Sequence, residues 1–295
     1  MTTFRPFFEG RKVFLYAKGE KNAMLEMRDV SFSYDNTATV LEHIDLQIGT
    51  GEFIGLGGRN GCGKTTVTRL LMGLEKPTTG KICLDGKDIT AADAAQRSRY
   101  MGYVFQRPER QMFRATVAAE VAYGPQQLGL RGEAVRKAVA AALAATNLTT
   151  LAEAYPPNLN RGEKQRVAIA SALAMKTNYI ILDEPTSGQD SADKDRLMQL
   201  LTALNRQGIT ILLITHDMDI LAAYCHRVLV IGRKTKVFDG TPEELFTRRD
   251  DLYDLGLARP EAVTLSLAVP GMPYCATMDA FKDALLKRLG GEKAY

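Results

Sequence analysis

The chain has 295 residues, of which 45% are hydrophobic and 24% are charged, and its formal net charge at pH 7 is +4. These values are ordinary for a globular protein and allow a sizeable core, in one large domain or two smaller ones. The charge is too small, and the Lys and Arg residues are too scattered, to indicate nucleic-acid binding. No apolar run approaches the ~18 residues of a membrane-spanning helix, so we expect any membrane role to come through a partner.

The N-terminus and the cysteines indicate a reducing compartment. Residues 1–23 form an irregular basic and aromatic extension, which lacks the apolar centre of a signal peptide. The four cysteines lie far apart and form no Cys-x-x-Cys pair, so we expect free thiols in the cytosol. They are Cys62, Cys83, Cys225 and Cys275.

Strand patterns dominate the first part of the chain. Residues 24–34 alternate in polarity as an edge strand does, and Asp35 and Asn36 then predict a turn. Residues 90–98 have helical spacing. The other strands that the pattern predicts cover residues 40–48, 81–84 and 101–105.

One segment among these strands carries chemistry. Residues 58–66 read Gly-Arg-Asn-Gly-Cys-Gly-Lys-Thr-Thr, between the apolar run 53–56 and the helical pattern 67–72. A glycine, four residues and Gly-Lys-Thr, placed between a strand and a helix, form the phosphate-binding loop pattern. Its glycines let the backbone N–H groups and the helix N-terminus surround an anion. Lys64 would reach the terminal phosphates and Thr65 would bind Mg²⁺. A glycine-rich turn without a ligand is the alternative.

Residues 107–175 predict a mainly helical insert. Helical spacing covers residues 116–123 and 133–145, and a pair of prolines interrupts the chain before the next helix. Asn160 and Glu163 have capping-box spacing at the start of that helix.

Beyond the insert, apolar strands alternate with helices. Residues 179–182 and 209–214 are continuous apolar runs, typical of buried parallel strands, and residues 192–205 between them are helical. This order predicts parallel βαβ units and therefore an α/β fold. The elements that follow are a hairpin of residues 228–231 and 236–238 and a helix that opens at residues 242–246.

Residues 246–295 differ in character and predict a small appended subdomain. Met278, Phe281, Leu285 and Leu289 form an apolar stripe on a short amphipathic helix. We expect this stripe to be a packing surface or a dimer surface.

Polar side chains follow three of the predicted strands. Because open α/β sheets bind ligands at the carboxyl ends of their strands, these side chains are candidates for one site. Asp183 fits as the acceptor for Mg²⁺-bound water, and Glu184 fits as the residue that orients or deprotonates the attacking water. Gln106 could contact Mg²⁺ and the water, and His216 could bond the γ-phosphate. A lone histidine is more often structural, and an Asp-Glu pair is usually a solvated turn. The prediction of a catalytic site therefore depends on the order in which these residues follow the phosphate loop along the chain.

Seven segments between residues 24 and 245 form one ordered set. They are Tyr34, residues 58–66, Gln106, residues 159–163, residues 180–184, residues 187–190 and His216. In this order they resemble the nucleotide-binding subunits of ABC transporters, whose motifs are the adenine-stacking aromatic, Walker A, Q-loop, signature, Walker B with the catalytic glutamate, D-loop and H-loop. The resemblance implies a P-loop NTPase core with a parallel sheet, an antiparallel β subdomain and a helical subdomain.

The same resemblance implies ATP and Mg²⁺ as ligands and ATP hydrolysis as the activity. It implies catalytic roles for Glu184, His216 and Gln106. The residues that it implies for Mg²⁺ are Thr65, Gln106 and Asp183. Those that it implies for ATP are Tyr34, Gly58, Asn60, Gly61, Cys62, Gly63, Lys64, Thr65, Thr66, Asn160 and Gly162. Tyr34 taken alone is equally consistent with an ordinary strand aromatic.

A narrower resemblance lies in residues 105–113, 116–117 and 123–130. With the tail 252–265, these segments are similar to the ATPases of energy-coupling factor importers, which include vitamin and cobalt or nickel uptake systems. This similarity implies a peripheral protein at the cytoplasmic face of the membrane. It implies a second ATPase subunit, a transmembrane coupling subunit and a substrate-binding membrane subunit as partners. It also implies that residues 107–113 contact a coupling helix, with a plain surface loop as the alternative.

The signature departs from the family pattern. The usual Leu-Ser-Gly-Gly-Gln reads Leu-Asn-Arg-Gly-Glu at residues 159–163, and in the family this motif caps the γ-phosphate held by the other subunit. Asn160 can still donate a hydrogen bond, Arg161 adds bulk and positive charge, and Glu163 places a carboxylate near the anion. These changes favour a heterodimer over a homodimer, because only one of the two sites would then use the altered motif. Cys62 replaces the usual loop serine, and we expect its alkylation to block nucleotide.

Two other functions compete with a transport ATPase. ABC-type ATPases without a membrane partner carry long coiled coils or two nucleotide domains, whereas this sequence has no sustained heptads and one phosphate loop. A non-catalytic regulator would have lost Glu184 or His216, and both are present. In the resembled family a separate membrane subunit selects the cargo.

Overall fold

The computed structural model describes residues 24–35, 38–248 and 251–290. The predicted extension 1–23, Asn36 of the predicted turn and residues 291–295 lie outside the described residues. The strands are β1 (Met24–Ser33), β2 (Thr39–Gly49), β3 (Phe53–Gly57), β4 (Thr79–Leu84), β5 (Lys87–Asp88), β6 (Met101–Val104), β7 (Tyr179–Asp183), β8 (Thr210–Ile214), β9 (Arg227–Gly232) and β10 (Thr235–Gly240). The α-helices are α1 (Lys64–Met72), α2 (Ala94–Arg97), α3 (Val117–Gln127), α4 (Glu133–Ala145), α5 (Arg161–Ala174), α6 (Ser191–Arg206), α7 (Met218–Tyr224), α8 (Pro242–Arg248), α9 (Glu261–Ala268) and α10 (Met278–Arg288).

The larger sheet has its strands in the order β10-β9-β3-β8-β7-β6. All neighbouring pairs from β9 to β6 are parallel, and β10 forms an antiparallel hairpin with β9. The predicted parallel units and terminal hairpin are therefore confirmed. Because β3, β8 and β7 are neighbours, their carboxyl ends meet at one edge of the sheet, where α/β folds bind ligands.

A second, antiparallel sheet has the order β2-β1-β4-β5. The prediction of an edge strand for residues 24–34 is wrong, because β1 pairs with β2 on one side and with β4 on the other. Alternating polarity indicates one buried face and does not indicate how many neighbours a strand has. Leu25, Met27, Val30 and Phe32 form the buried face of β1 and pack in one cluster with residues of β3 and α1.

Helices α3, α4 and α5 follow a 3₁₀ turn at Pro108–Gln111 and agree with the helices predicted between residues 107 and 175. The predicted capping box at the start of α5 is confirmed. Asn160 Oδ1 accepts the Glu163 N–H at 2.8 Å, and Glu163 Oε2 accepts the Asn160 N–H at 2.9 Å. The helix predicted at residues 90–98 is shorter, since only α2 forms. The Thr90 hydroxyl instead accepts the Ile82 N–H at 2.9 Å and ties residue 90 to β4.

Arg97, in the last turn of α2, is a buried cation with 1% exposure. Its guanidinium donates to the carbonyl oxygens of Leu70, Leu71, Ile89, Thr90 and Ala92. Burial lowers the pKa of this group, and the hydrogen bonds compensate for lost hydration. Leu70 and Leu71 lie in the last turn of α1, so Arg97 satisfies the carbonyls at the end of the helix that follows the phosphate loop.

The C-terminal segment is helical and contains α9 and α10. Sequence patterning missed α9, because its apolar residues do not form one stripe: Val263 is buried, whereas Leu265 and Leu267 are 40% and 49% exposed. Of the stripe predicted on α10, Phe281 is buried and Leu289 is 73% exposed. Within residues 24–35, 38–248 and 251–290, no helix has the length and apolar character needed to cross a bilayer.

Candidate functional site

The predicted phosphate loop joins β3 to α1 and depends on glycines. Gly58, Gly61 and Gly63 have φ angles of 134°, 80° and 106°, which side-chain-bearing residues rarely adopt. A Cβ on Gly58 would lie 2.2 Å from the Ile231 carbonyl oxygen, so no larger residue fits there. Gly63 is the N-cap of α1 and supplies no side-chain cap. The first N–H groups of α1 are therefore left for an anion.

Lys64 is a buried cation inside this loop. The residue is 6% exposed. Its Nζ donates hydrogen bonds to the carbonyl oxygens of Gly58 at 2.6 Å and Arg59 at 2.9 Å. Among the described residues, no carboxylate forms an ion pair with this ammonium. Its hydrogen-bond acceptors are neutral carbonyl oxygens, and the Asp183 carboxylate interacts with its charge without forming an ion pair. The loop therefore fits a phosphate group.

Asp183, the last residue of β7, forms the second part of the site. Its Oδ2 accepts hydrogen bonds of 3.2 Å from Thr65 Oγ1 and from the Tyr103 hydroxyl, which also lies 3.2 Å from Thr68 Oγ1. Burial raises the pKa of Asp183, and the hydrogen bonds from Tyr103 and Thr65 lower it in part. The Asp183 carboxylate and the Thr65 hydroxyl are hard oxygen groups, which fit Mg²⁺.

Glu184 has an unusual backbone and two side-chain partners. Its φ angle is 46°, and its N–H donates to the Ile214 carbonyl of β8 at 3.0 Å. Its Oε2 accepts a hydrogen bond from Gln106 Nε2 at 3.2 Å and lies 3.4 Å from His216 Nδ1. Residues that follow three different strands are thereby joined at one carboxylate, as the sequence order predicts.

Tyr34 lies beside the start of α1. Its hydroxyl is 3.4 Å from Thr66 Oγ1, its ring meets Phe32 edge to face, and the residue is 53% exposed. The ring is therefore open to solvent next to the phosphate loop. Its stacking role stays a prediction.

The signature residues lie at the start of α5, next to the segment before α6. The side-chain oxygen Oδ1 of Asn160 is occupied by the Glu163 N–H. Its amide Nδ2 has no acceptor among the described residues, so it is available as a donor. The Glu163 carboxylate accepts a hydrogen bond from the Asn160 N–H, and its placement near the anion of the other subunit stays a prediction. A Cβ on Gly188 would lie 2.7 Å from Arg161 Nη1, and one on Gly162 would lie 3.1 Å from Asp193 Oδ2. The first contact joins the signature to the predicted D-loop, and the second joins it to α6.

Sequence reasoning missed Tyr103 as a neighbour of the site. Burial and the Asp183 carboxylate raise the pKa of its hydroxyl well above the usual range, so the hydroxyl stays protonated and donates its hydrogen bond to Asp183. Tyr103 lies on β6, which pairs with β7. Only this pairing brings the two residues together, and the sequence alone gives no signal for it.

A phosphate loop, a buried lysine and a carboxylate pair at the carboxyl edge of a parallel sheet define a P-loop nucleotide-binding protein. The sequence model of the ABC transporter family matches residues 41–187. By this match and by two relatives at least 34% identical over more than 80% of each chain, the chain belongs to the ABC transporter ATP-binding proteins. Its α/β fold, with a parallel core sheet, an antiparallel sheet and helices, is the ABC ATPase fold.

Curated relatives carry a more specific name. The energy-coupling factor transporter ATP-binding protein EcfA of Methanothermobacter thermautotrophicus is 34% identical over 275 residues, which cover 91% of this chain and 88% of that protein. EcfA of Methanococcus maripaludis is 37% identical over 245 residues, covering 82% and 88%. The chain spans 39–46% of the length of three other curated relatives, which are longer proteins.

Solved structures share the fold. The cbiO1 protein of Clostridium perfringens, described as part of the ABC transporter complex cbiONQ, has a TM-score of 0.71 and 32% identity, covering 84% of this chain and 100% of that one. An ATP-binding cassette in a dimeric post-hydrolysis state, bound to ADP and phosphate, has a TM-score of 0.66 and 27% identity, covering 74% and 98%.

Proposed function

We propose that this chain binds and hydrolyses ATP as one half of an ATPase dimer. In this proposal it energises an energy-coupling factor type importer for a vitamin or a transition-metal ion, at the cytoplasmic face of the membrane. The observation that carries the proposal is the Glu184 carboxylate oxygen, which lies 3.2 Å from Gln106 Nε2 and 3.4 Å from His216 Nδ1. The relatives named EcfA support the assignment to an energy-coupling factor type importer.

The phosphate loop would hold the triphosphate. Backbone N–H groups of residues 58–66 bind the β- and γ-phosphates, and Lys64 transfers its hydrogen bonds from loop carbonyls to phosphate oxygens. When bound, Mg²⁺ would neutralise phosphate charge. Thr65 and Asp183 would hold the ion, directly or through water, with Gln106 as a further oxygen ligand. Tyr34 would stack on the adenine.

Glu184 would act on the attacking water. Its carboxylate accepts a proton from the water or orients it in line with the γ-phosphate. The Gln106 amide holds one carboxylate oxygen in place, and His216 donates a hydrogen bond toward the γ-phosphate. Because these groups follow three neighbouring strands, their positions depend on the sheet rather than on a mobile loop.

A dimer would complete each site. The N-terminus of α5, with Asn160 and Gly162, would cap the γ-phosphate held by the other subunit, and the dimeric state of the ADP-bound cassette supports this arrangement. Arg161 replaces a small residue there, so we favour a heterodimer whose partner supplies an unaltered signature. If this chain alone dimerised with ATP and hydrolysed it at a transporter-like rate, the preference for a heterodimer would fail.

The proposed contact with the membrane subunits uses residues 107–113. Phe113 is 63% exposed, its ring meets Tyr123 edge to face, and the Arg114 guanidinium lies 5.0 Å and 4.7 Å from the two ring centroids. A groove of about 440 Å³ adjoins Phe113 between α3 and α5. An exposed aromatic beside a groove fits the end of a partner helix.

Purification of the tagged chain from detergent-solubilised membranes tests the proposal. We expect the chain to bring with it a second ATPase and membrane subunits, and the complex to hydrolyse Mg-ATP. A Lys64→Ala chain should form the same complex without turnover at its own site. Recovery of an active chain from the cytosol with no membrane subunit would instead favour an ABC-type ATPase without a membrane partner.

A further inference from the structure

Residues 251–257 form a turn at the start of the C-terminal segment, which we call the loop brace. The turn is closed by its own backbone: the Leu255 N–H donates to the Asp251 carbonyl, and the Leu257 N–H donates to the Leu252 carbonyl at 2.9 Å. Leu255 and Leu257 are each 4% exposed. The brace is therefore an ordered part of the core, although no motif of the nucleotide site includes it.

Three consecutive residues of the brace contact the phosphate loop and the strands beside it. A Cβ built on Gly256 would lie 2.9 Å from the Cα, Cβ and Cγ atoms of Arg59. Leu257 Cδ2 lies 3.5 Å from the Cβ position of Gly57, the last residue of β3, and Leu255 Cδ2 lies 2.9 Å from that of Gly232, the last residue of β9. The brace thus contacts the phosphate loop and the carboxyl ends of β3 and β9.

Arg59 also contacts the group that would bind phosphate. Its carbonyl accepts hydrogen bonds from Lys64 Nζ at 2.9 Å and from the Cys62 N–H at 3.2 Å. Arg59 is therefore held by the brace and by Lys64 at the same time. A shift of Arg59 would move its carbonyl oxygen, which Lys64 gives up when it binds phosphate. The same shift would move the backbone N–H groups of the loop that face the phosphates.

We propose that the brace positions the phosphate loop for nucleotide, with Gly256 as the positioning residue. The inference rests on the proposed binding of ATP. Gly256 has a φ angle of 71°, and its missing Cβ permits the close approach to Arg59. A side chain at this position must displace Arg59 or separate the brace from the loop. The appended C-terminal segment is in this way a structural part of the nucleotide site.

Two glycine substitutions separate this role from backbone strain. Gly271 lies in the same C-terminal segment with a φ angle of 74°, but the nearest atom to its Cβ position is Arg288 Nη1 at 3.9 Å. Gly256→Ala and Gly271→Ala therefore carry the same conformational penalty, and only the first disturbs the loop. Leu257→Ala is a third variant, which removes the contact with Gly57 instead of adding a steric overlap with Arg59. It tests the same proposal if Gly256→Ala does not fold.

The measurements are the Kd of the full chain for Mg-ATP and the unfolding temperature without nucleotide. We expect Gly256→Ala to weaken ATP binding by about tenfold, which corresponds to about 1.4 kcal/mol, and Leu257→Ala to weaken it by severalfold. The Kd of Gly271→Ala should equal that of the wild type. In the purified complex, KM for ATP should rise while kcat at saturating ATP stays the same, since the catalytic carboxylate is untouched.

Two results would overturn the proposal. One is a wild-type Kd in both Gly256→Ala and Leu257→Ala. The other is an equal loss of affinity in Gly271→Ala, which would assign the effect to general destabilisation. Failure of the wild-type chain to bind ATP would refute the proposed function itself, so the two failures are distinguishable.

Discussion

Thr65 donates a hydrogen bond of 3.2 Å to Asp183, although the two residues lie 118 positions apart in the sequence. Thr65 belongs to the first turn of α1 and Asp183 is the last residue of β7. Asp183 is 8% exposed, and burial raises the pKa of its carboxyl. Folding therefore places an oxygen pair that fits a divalent cation, at a cost in stability that the bound cation would offset.

Asp183→Asn should stabilise the nucleotide-free protein and remove its response to Mg²⁺. A carboxyl whose pKa is higher in the folded state is protonated in both states at pH values well below its ordinary pKa of 3.8. Its destabilising effect therefore grows as the pH rises from about 3.8 and is complete above the folded-state pKa. We expect the substitution to add about 1 kcal/mol to the free energy of unfolding at pH 7.5 and much less at about pH 3. Urea unfolding at the two pH values measures this, with the exposed Asp195→Asn as the control; a gain at about pH 3 as large as at pH 7.5 would contradict the pKa shift.

Glu184→Gln should separate ATP binding from hydrolysis. The amide keeps the size of the side chain but cannot accept a proton, so we expect turnover by the complex to fall by a factor of about 10²–10⁴. The Kd for Mg-ATP should stay within about twofold of wild type, because Glu184 is not expected to hold the phosphates, and the ATP-bound dimer should persist. Rapid continued hydrolysis by this variant would remove Glu184 from the mechanism.

Alkylation of Cys62 should block nucleotide binding. Cys62 is partly exposed inside the phosphate loop, whereas Cys83, Cys225 and Cys275 are buried. Burial raises the pKa of the Cys62 thiol, so reaction with iodoacetamide should accelerate as the pH rises from 7 to 9. Mg-ATP should protect the thiol.

Cys62→Ser is the matched control for this labelling. It keeps a small polar side chain in the loop, so it should bind ATP and keep that binding after treatment. Mass spectrometry of the labelled chain identifies the modified residue. Full ATP binding by a chain carrying one adduct on Cys62 would contradict the placement of this thiol at the site.

Arg97→Met should strongly destabilise the fold. The substitution leaves several buried carbonyls without their donor, among them those of Leu70 and Leu71 at the end of α1. We expect a loss of about 2–4 kcal/mol in the free energy of unfolding. The neighbouring Arg99 is exposed, so Arg99→Met should change stability by less than about 0.5 kcal/mol. Equal effects in the two variants would show that the Arg97 hydrogen bonds contribute little.

The sequence predicts much of the fold and the residues that gather at Glu184. Strand and helix periods identify β3, β7, β8 and the helices of the insert, since these elements are apolar where they are buried. The spacing in residues 58–66 predicts the glycine-rich loop between β3 and α1. The order of Gln106, Asp183, Glu184 and His216 predicts that they meet, because parallel strands place their carboxyl ends at one edge.

Other features depend on tertiary contacts that no local pattern contains. Tyr103 reaches Asp183 only because β6 pairs with β7, and β1 is an interior strand only because β4 returns beside it. Glu184 combines a left-handed backbone with a hydrogen bond from its N–H to β8, a strand distant in the sequence. The contact of Gly256 with Arg59 joins residues that are far apart in the sequence, so its importance is visible only in three dimensions.

Binding of Mg-ATP to the full chain, compared with Lys64→Ala, tests the central claim most directly. We expect the wild type to bind in the micromolar range by titration calorimetry, which corresponds to roughly −8 kcal/mol. Loss of the Lys64 ammonium should weaken the affinity by at least about tenfold, because it removes a charge-assisted hydrogen bond to phosphate. A wild-type chain that does not bind Mg-ATP, or a Lys64→Ala chain that binds it equally well, would contradict the assignment of residues 58–66 as the nucleotide site.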